Sequence, residues 1–153
     1  MTFRRRTLKF TLCICIVTIL SSCSKDVDYV PPAGTTDTVI SHYSYDKLVI
    51  DDNDYNIDLI ILPGGTVTGW EFDRDTHVIT PKEFQGLITD NVTKVIIGSG
   101  YHGQGILNDE AAALVKILEA NGTSIDLLPT GDAVNLFNTS SKKGLLTFLH
   151  IRN

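Results

Sequence analysis

The stretch that decides the fold is Val92-Thr93-Lys94-Val95-Ile96-Ile97-Gly98-Ser99-Gly100. Its centre is a continuous apolar run, which is typical of a central strand that is covered on both faces. A helix follows, because Asn108 or Asp109 can cap its start, an apolar stripe runs along it and Gly122 ends it. Residues 124–128 then predict a second buried strand. Residues 92–128 therefore predict a right-handed parallel strand–helix–strand crossover.

The flanking segments predict the rest of one α/β domain. Residues 47–50 and 55–62 are strand-like and flank an Asx-rich turn, which predicts a hairpin. Thr80-Pro81-Lys82-Glu83 is a capping box that predicts a helix to about Thr89. A short helix is expected after Pro129 with Thr130 as its cap, and residues 145–151 form a closing strand. No second composition regime appears, so one domain is the economical interpretation.

Composition and charge exclude several classes of protein. The 153 residues are 42% hydrophobic and 20% charged, which is the mix of a folded globular domain and not of a disordered or fibrous chain. The net charge of −5 argues against a nucleic-acid-binding protein, which would need a basic face.

The N-terminus has the features of a bacterial lipoprotein signal. Basic residues precede Phe10 to Leu20, an uncharged run of 11 residues that is too short to span a bilayer and fits the core of a secretory signal. Leu20-Ser21-Ser22-Cys23 then resembles a lipobox. This resemblance implies that residues 1–22 are a lipoprotein signal peptide and that Cys23 carries lipid on its sulfur and on its new amine. The alternative is an ordinary cleaved signal peptide or a short membrane anchor.

The cysteines and charges after cleavage agree with a lipid anchor. The 130 residues after Cys23 contain no cysteine, so they can form no disulfide, thiolate nucleophile or thiolate metal site. Removal of residues 1–22 leaves 9 basic and 18 acidic residues, so lipid and not charge must hold the domain at a membrane.

The segment between the anchor and the domain predicts a tether. Residues 23–38 contain the lipidated cysteine and a solvated, Pro31-Pro32-containing stretch, ahead of a single α/β domain at residues 39–153. Ser24 is not the aspartate that retains some lipoproteins in the inner membrane, so by this resemblance the outer membrane of the cell envelope is favoured. Which side of the membrane the domain occupies is left open.

No metal or other cofactor is predicted. Residues 51–54 are rich in aspartate but lack the central glycine and terminal glutamate of an EF-hand loop, which favours a solvated turn over calcium. The four histidines include no helical i, i+4 pair. Trp70 and His77 are expected to pack the rim of the core, and His150 is expected to be a structural or surface histidine.

The order of these features resembles a known family. The features that carry the resemblance are, in order, a hairpin, a strand ending in Trp70, His77 ahead of the Thr-Pro-x-Glu helix start, the strand ending at Gly98 to Gly100, and Thr130-x-x-Ala133-x-x-x-Phe137-Asn138. The chain from about residue 39 resembles the small α/β domain family that includes mitochondrial complex I assembly factor 3 and the adipogenesis-associated domain protein.

The resemblance implies a fold and a mode of action. The implied fold is a three-layer α/β domain with a mixed central sheet whose last strand is antiparallel to its neighbours. No established reaction is implied, and the best-known members act through partners. Relatives carry a glutamate and an arginine shortly after the position of Asn138, whereas this chain has Thr139 to Leu145 there, so any function of that pair is in doubt.

Two loops are the candidate ligand or partner site. Ligands bind beyond the carboxyl ends of parallel strands, and residues 98–105 and 130–132 follow two such strands. The candidate residues are Gly98, Ser99, Gly100, His102, Thr130, Asp132 and Asn138. Asn138 is expected to cap or bond backbone near the final turn.

Two catalytic or cofactor motifs are incomplete in these loops. Gly98-x-Gly100-x-x-Gly103 has the spacing of a dinucleotide fingerprint, but residues 104–107 delay the helix. The acidic residue that this motif needs about 20 positions on falls near Glu119, inside a helix and not at a strand end. Ser99, His102 and Asp132 are the residue types of a hydrolytic triad, but the nucleophile elbow G-x-S-x-G is absent. No catalytic residue is therefore assigned.

Three functions compete at this point. The favoured one is a lipid-anchored interaction or assembly module without chemistry, with an envelope protein as its partner. The alternatives are a small-ligand binder that uses the two loops and an enzyme that acts on a small envelope metabolite or cell-wall fragment. An exposed apolar patch would indicate a partner surface. A concave pocket with convergent polar groups would indicate a ligand site. A titratable group of shifted pKa in that pocket would indicate an enzyme.

Overall fold

The computed structural model describes residues 26–35, 37–71, 77–84 and 86–152. In chain order, the strands are β1 Val27–Asp28, β2 Ile40–Ser44, β3 Lys47–Ile50, β4 Asn53–Tyr55, β5 Leu59–Ile61, β6 Val67–Gly69, β7 Val78–Ile79, β8 Lys94–Ser99, β9 Ile106–Leu107, β10 Ser124–Leu128 and β11 Leu145–His150. The helices of this part of the chain are α1 Asp109–Ala120 and α2 Thr130–Thr139, and Pro81–Glu83 form a 3₁₀ turn. The signal peptide and Cys23 lie outside the described residues.

The central sheet is mixed and has the strand order β10-β8-β11-β5-β6. β8 runs parallel to both β10 and β11, whereas β11 runs antiparallel to β5. The expectation that the last strand is antiparallel to its neighbours is therefore wrong for one of them. The reason is that α2 returns the chain to the amino end of the sheet, so β11 starts beside the start of β8.

Both faces of the central sheet are covered, because successive side chains of each strand point to opposite faces. On one face, Ile96 and Leu149 share a core with residues of α2, β2 and β3. On the other face, Val95, Ile97 and Phe148 pack with Phe84 and with Ala111 of α1. The mixed α/β class is confirmed, and β8 is an interior strand that is buried from Val95 to Ser99, as its apolar run predicts.

Three local predictions differ from the structure. β3 pairs with β4 through a turn at Asp51 and Asp52, whose φ values are 48° and 63°, whereas β5 joins the central sheet. The capping box at Thr80 forms, but the helix stops after one 3₁₀ turn. β10 lies at the sheet edge and is only partly buried. The two differences in the strands reflect tertiary pairing, which short-range sequence patterns do not encode.

The segment expected to be a tether contains a strand. β1 pairs antiparallel with β2, and Tyr29 N donates to Ser41 O at 2.9 Å. Val27 packs against the core, and the Asp28 carboxylate lies 2.8 Å from His42 Nδ1. These contacts hold residues 27–29 against the edge of the four-stranded sheet β1-β2-β3-β4. Among the described residues, no helix is long and apolar enough to cross a membrane.

Candidate functional site

Three parallel strands end at one edge of the central sheet. In the register, Leu128 of β10 lies beside Gly98 of β8, and His150 of β11 lies beside Ser99 of β8. The loop after β8 and the start of α2 after β10 therefore emerge together, as the parallel arrangement predicts. We call this the carboxyl edge and define it by Ser99, Leu128 and His150. Open parallel sheets bind ligands at such an edge.

Thr130 joins all three strand ends. Its side chain is fully buried, and its Oγ1 accepts from Gly100 N at 2.9 Å and donates to His150 O at 2.5 Å. Its own N–H donates to Gly100 O at 2.9 Å. The N-cap of α2 is Pro129, and Thr130 is the first residue of the helix, so the prediction of Thr130 as a cap is wrong. The hydroxyl instead satisfies backbone groups at a buried junction.

Ser99 is also used for structure. Its side chain is buried, and its Oγ donates to Leu128 O at 2.8 Å. Gly105 N donates to Ser99 O at 2.8 Å, which folds the loop back over the strand end. A nucleophilic serine must give its proton to a base, whereas this proton is directed at a carbonyl oxygen. The geometry therefore gives no support to Ser99 as the nucleophile of a triad.

The loop glycines let the two loops pack closely. Gly100 and Gly103 have φ values of 98° and 69°, in the left-handed region that favours glycine. A Cβ on Gly103 would lie 3.1 Å from Pro129 Cγ, and a Cβ on Gly98 would lie 2.8 Å from Thr130 Oγ1. β9 separates Gly103 from the start of α1, so the helix N-terminus does not follow the third glycine as a pyrophosphate site requires.

The exposed side chains of the two loops are His102, Gln104 and Asp132, and Tyr101 is partly exposed. His102 is exposed, and its ring meets the Tyr101 ring edge-on at 5.1 Å. Tyr101 also contacts Tyr43 and Tyr45, with ring centroids 6.1 and 5.6 Å apart. We call Tyr45, Tyr101 and His102 the aromatic surface. Asp132 is exposed in the first turn of α2.

A buried acid–histidine pair was missed by the sequence reasoning. His150 Nδ1 lies 3.1 Å from Asp58 Oδ1, and both side chains are 1% exposed. Asp58 Oδ1 also accepts from Ile151 N at 2.9 Å. A sequence signal for Asp58 exists, because it stands directly before the buried strand β5. Alternation places it on the same side of the strand as Ile60, which packs on the face that carries Phe148 and His150.

His77 lies against this pair. Its ring centroid is 6.1 Å from that of His150, and its backbone φ is 52°, which is unusual for a residue other than glycine. Its Nδ1 is buried and has no hydrogen-bond partner among the described residues. Within the same residues, no group of three His, Cys, Asp or Glu side chains is arranged to hold a metal ion. The cluster therefore offers polar and titratable groups without a metal centre.

Asn138 lies away from the carboxyl edge, at the other end of α2. Its Oδ1 accepts from Ile40 N at 3.0 Å and its Nδ2 donates to Ile40 O at 2.8 Å, which joins α2 to β2. Lys142 Nζ donates to Phe137 O and to Ser140 O just beyond. Burial lowers the pKa of Lys142 below its ordinary value of 10.5, although the Asp37 carboxylate acts in the opposite direction. Asn138 thus forms hydrogen bonds with backbone groups, as expected. The backbone groups belong to β2 and not to the final turn.

The fold and the carboxyl edge define a small mixed α/β domain, and solved structures share its architecture. A conserved hypothetical protein from Pyrococcus horikoshii has 21% identity and a TM-score of 0.64, with 74% of this chain and 98% of that chain covered. A Bordetella pertussis protein described as an Mth938-like domain has 16% identity and a TM-score of 0.57, with 80% and 90% covered. At these identities the likeness shows the fold alone.

Sequence comparison gives the family. Residues 40–147 match the family described as protein of unknown function (DUF498/DUF598), and the chain belongs to it. No match was found among curated proteins. A structure from Bartonella henselae, described as an outer membrane protein, has 21% identity and a TM-score of 0.59, with 76% of this chain and 96% of that chain covered. The resemblance to a small α/β family without an established reaction is confirmed at this level.

Proposed function

We propose that this chain is a lipid-anchored protein of the cell envelope, in the outer membrane, whose domain is a non-catalytic interaction or assembly module. The lipid anchor is supported by the lipobox at Leu20 to Cys23. A fold neighbour described as an outer membrane protein agrees with an envelope location. The absence of cysteine after Cys23 also suits a domain that folds after export without disulfides.

The observation that carries the non-catalytic role is the use of the edge hydroxyls. Ser99 and Thr130 stand where a ligand-binding α/β sheet presents its chemistry, yet both are buried and bonded to carbonyl oxygens. Thr130 additionally accepts a backbone N–H. Such a site holds three strand ends together and presents neither hydroxyl to a ligand, which suits a module without chemistry.

Membrane fractionation tests the anchor. The Cys23→Ser variant is expected to lose lipid attachment and to accumulate as an uncleaved precursor or a soluble protein. The wild-type chain should take up radiolabelled palmitate, and Cys13→Ser should change neither result because Cys13 lies in the signal peptide. Membrane association of a Cys23→Ser variant cleaved at the same site would contradict the lipoprotein assignment.

Complementation of a deletion strain tests the absence of chemistry. A His102→Phe/Asp132→Asn variant keeps the ring and the side-chain sizes, removes two exposed titratable groups of the loops and should rescue fully. A module without chemistry needs no proton donor or acceptor there. Loss of rescue, with unchanged stability and membrane attachment, would contradict the proposal and favour an enzyme or a ligand-binding protein.

Small-ligand binding is the second candidate function, and His77 favours it. A histidine held at φ 52° with a buried ring nitrogen that has no described partner is the kind of strained residue that clusters at ligand sites. The test is a thermal-shift screen with small organic acids on the wild type and on His77→Asn, since asparagine tolerates the same backbone conformation. A ligand that stabilises only the wild type would support this candidate. Equal shifts for both proteins would contradict it.

A further inference from the structure

The N-terminal segment leaves the domain at a defined position. In the β1–β2 pair, Val27 lies opposite Tyr43 and Asp28 lies opposite His42. Because the strands are antiparallel, the chain before Val27 runs towards the turn that follows β2 at Ser44. The Tyr101 hydroxyl donates to Asp26 Oδ1 at 3.1 Å. Asp26 therefore lies where the β2–β3 turn meets the loop after β8.

The connection from this position to the anchor is short. Ser24 and Lys25 are the residues between Cys23 and Asp26. An extended chain spans at most about 3.6 Å per residue, so the Cα atoms of Cys23 and Asp26 are no more than about 11 Å apart. Acyl chains on Cys23 must lie in the bilayer. Asp26 and its surroundings are then held within about that distance of the lipid headgroups.

The aromatic surface occupies this end of the domain. Tyr45, in the β2–β3 turn, is 48% exposed and meets Tyr101 edge-on at 5.6 Å. The His102 ring also meets the Tyr101 ring edge-on, at 5.1 Å. Tyrosine rings are amphipathic and are enriched at the level of lipid headgroups, because one end is apolar and the other forms hydrogen bonds.

We propose that the aromatic surface rests on the headgroup layer of the bilayer, so that the carboxyl edge faces the membrane. This inference depends on the lipid anchor of the proposed function. Asp26 and Asp46 lie at the same end of the domain, and carboxylates are repelled by anionic lipid. The surface therefore fits zwitterionic lipid, and above all phosphatidylethanolamine, whose ammonium group can pair with a carboxylate while the rings lie among the headgroups.

This orientation restricts access to the domain. The end of α1 lies at the opposite edge, because α1 carries the chain from the end of β8 to the start of β10. The length of β8 alone separates the two edges by about 16 Å. A soluble partner would approach this far edge or the sides, whereas a ligand that reaches the carboxyl edge would come along the bilayer.

Depth-dependent quenching tests the orientation in the full, lipidated chain. His102→Cys and the control Ile117→Cys each introduce one free thiol, since Cys23 is the sole cysteine after the signal peptide and its sulfur is lipidated. Ile117 is 57% exposed in the last part of α1, at the far edge. Both variants carry a nitrobenzoxadiazole probe and are reconstituted in phosphatidylethanolamine–phosphatidylcholine vesicles in equal parts, with or without a headgroup-attached nitroxide quencher.

The probe at residue 102 should be quenched severalfold more than the probe at residue 117. Equal quenching, or stronger quenching at residue 117, in protein that floats with the vesicles would overturn the orientation and leave the anchor intact. The Cys23→Ser variant should not float with the vesicles. If the chain with Cys23 intact also does not float, the anchor and this inference are overturned together. The two failures are thus distinguishable.

A longer linker between Cys23 and the domain provides the second measurement. A flexible glycine–serine insertion of about 20 residues between Ser24 and Lys25 lets the domain move away from the bilayer. The stronger quenching at residue 102 should then fall towards the level at residue 117, while flotation stays unchanged. Quenching that does not respond to the insertion would overturn the short connection as its cause.

Discussion

The removal of the Thr130 hydroxyl should destabilise the domain strongly. Thr130→Val keeps the shape of the side chain but leaves two buried backbone groups, Gly100 N–H and His150 C=O, without their bonds to Oγ1. An unsatisfied buried polar group costs about 1–3 kcal/mol, so the two groups together should cost about 2–6 kcal/mol. Because a domain of this kind is stable by about 5–15 kcal/mol, the change is large enough to lower the amount of folded protein in cells.

Thr130→Ser is the matched control for this prediction. It keeps both hydrogen bonds and removes one methyl group, which should cost about 1 kcal/mol. Urea unfolding of the chain from Ser24 onward measures both variants, with the midpoint lowered and the slope unchanged. If the valine variant is no less stable than the serine variant, the hydroxyl does not support the strand ends and the account of the carboxyl edge is wrong.

Three further changes test other parts of the structure. Asn138→Ala removes two hydrogen bonds to the backbone of β2 and should lower the free energy of unfolding in urea by about 1–3 kcal/mol. The control Asn135→Ala, at an exposed position of the same helix, should be nearly neutral. Equal losses would contradict the role of Asn138 in joining α2 to β2. Gly98→Ala puts a Cβ 2.8 Å from a buried hydroxyl and should lower the free energy of unfolding by about 1–3 kcal/mol. An unchanged melting temperature would refute the tight packing. Because the pKa of Lys142 is lowered in the folded domain, the unfolded chain binds more protons between that pKa and 10.5, and the free energy of unfolding should rise with pH in this window. Unfolding measured as a function of pH should show this rise in the wild type and in Lys143→Met. In Lys142→Met, the part of the rise that comes from Lys142 should be lost.

The elements with strong local signals were predicted well. α1 starts after Asn108, whose side chain accepts from Ala111 N at 2.8 Å, and ends before Gly122, which has a φ of 94°. The apolar run of β8 correctly predicted an interior strand that is covered on both faces. The 3₁₀ turn at Pro81 shows the limit of such signals, because the capping box formed and yet the helix did not continue. A cap stabilises the first turn, and packing decides how far a helix extends.

The candidate site was predicted in part. The meeting of the two loops followed from the parallel crossover, and the backbone bonds between Thr130 and Gly100 confirm that they meet. The roles of the residues did not follow, since Ser99 and Thr130 turned out to serve backbone groups. Whether a side chain faces solvent or a carbonyl oxygen depends on its neighbours in space, which composition and spacing do not reveal.

By itself, the sequence determined the properties that depend on residues close together along the chain. These are the lipobox pattern, the cysteine-free domain, the capped helix α1 and the apolar run of β8. Tertiary structure alone decided the contacts between distant segments. Asp58 accepts a hydrogen bond from Ile151, 93 residues later, and β1 joins β2 in a segment that resembled a tether. The physical reason is that a local pattern fixes the conformation of a segment, whereas the partner of a polar group is chosen by the packing of the whole domain, which leaves few buried groups without a bond.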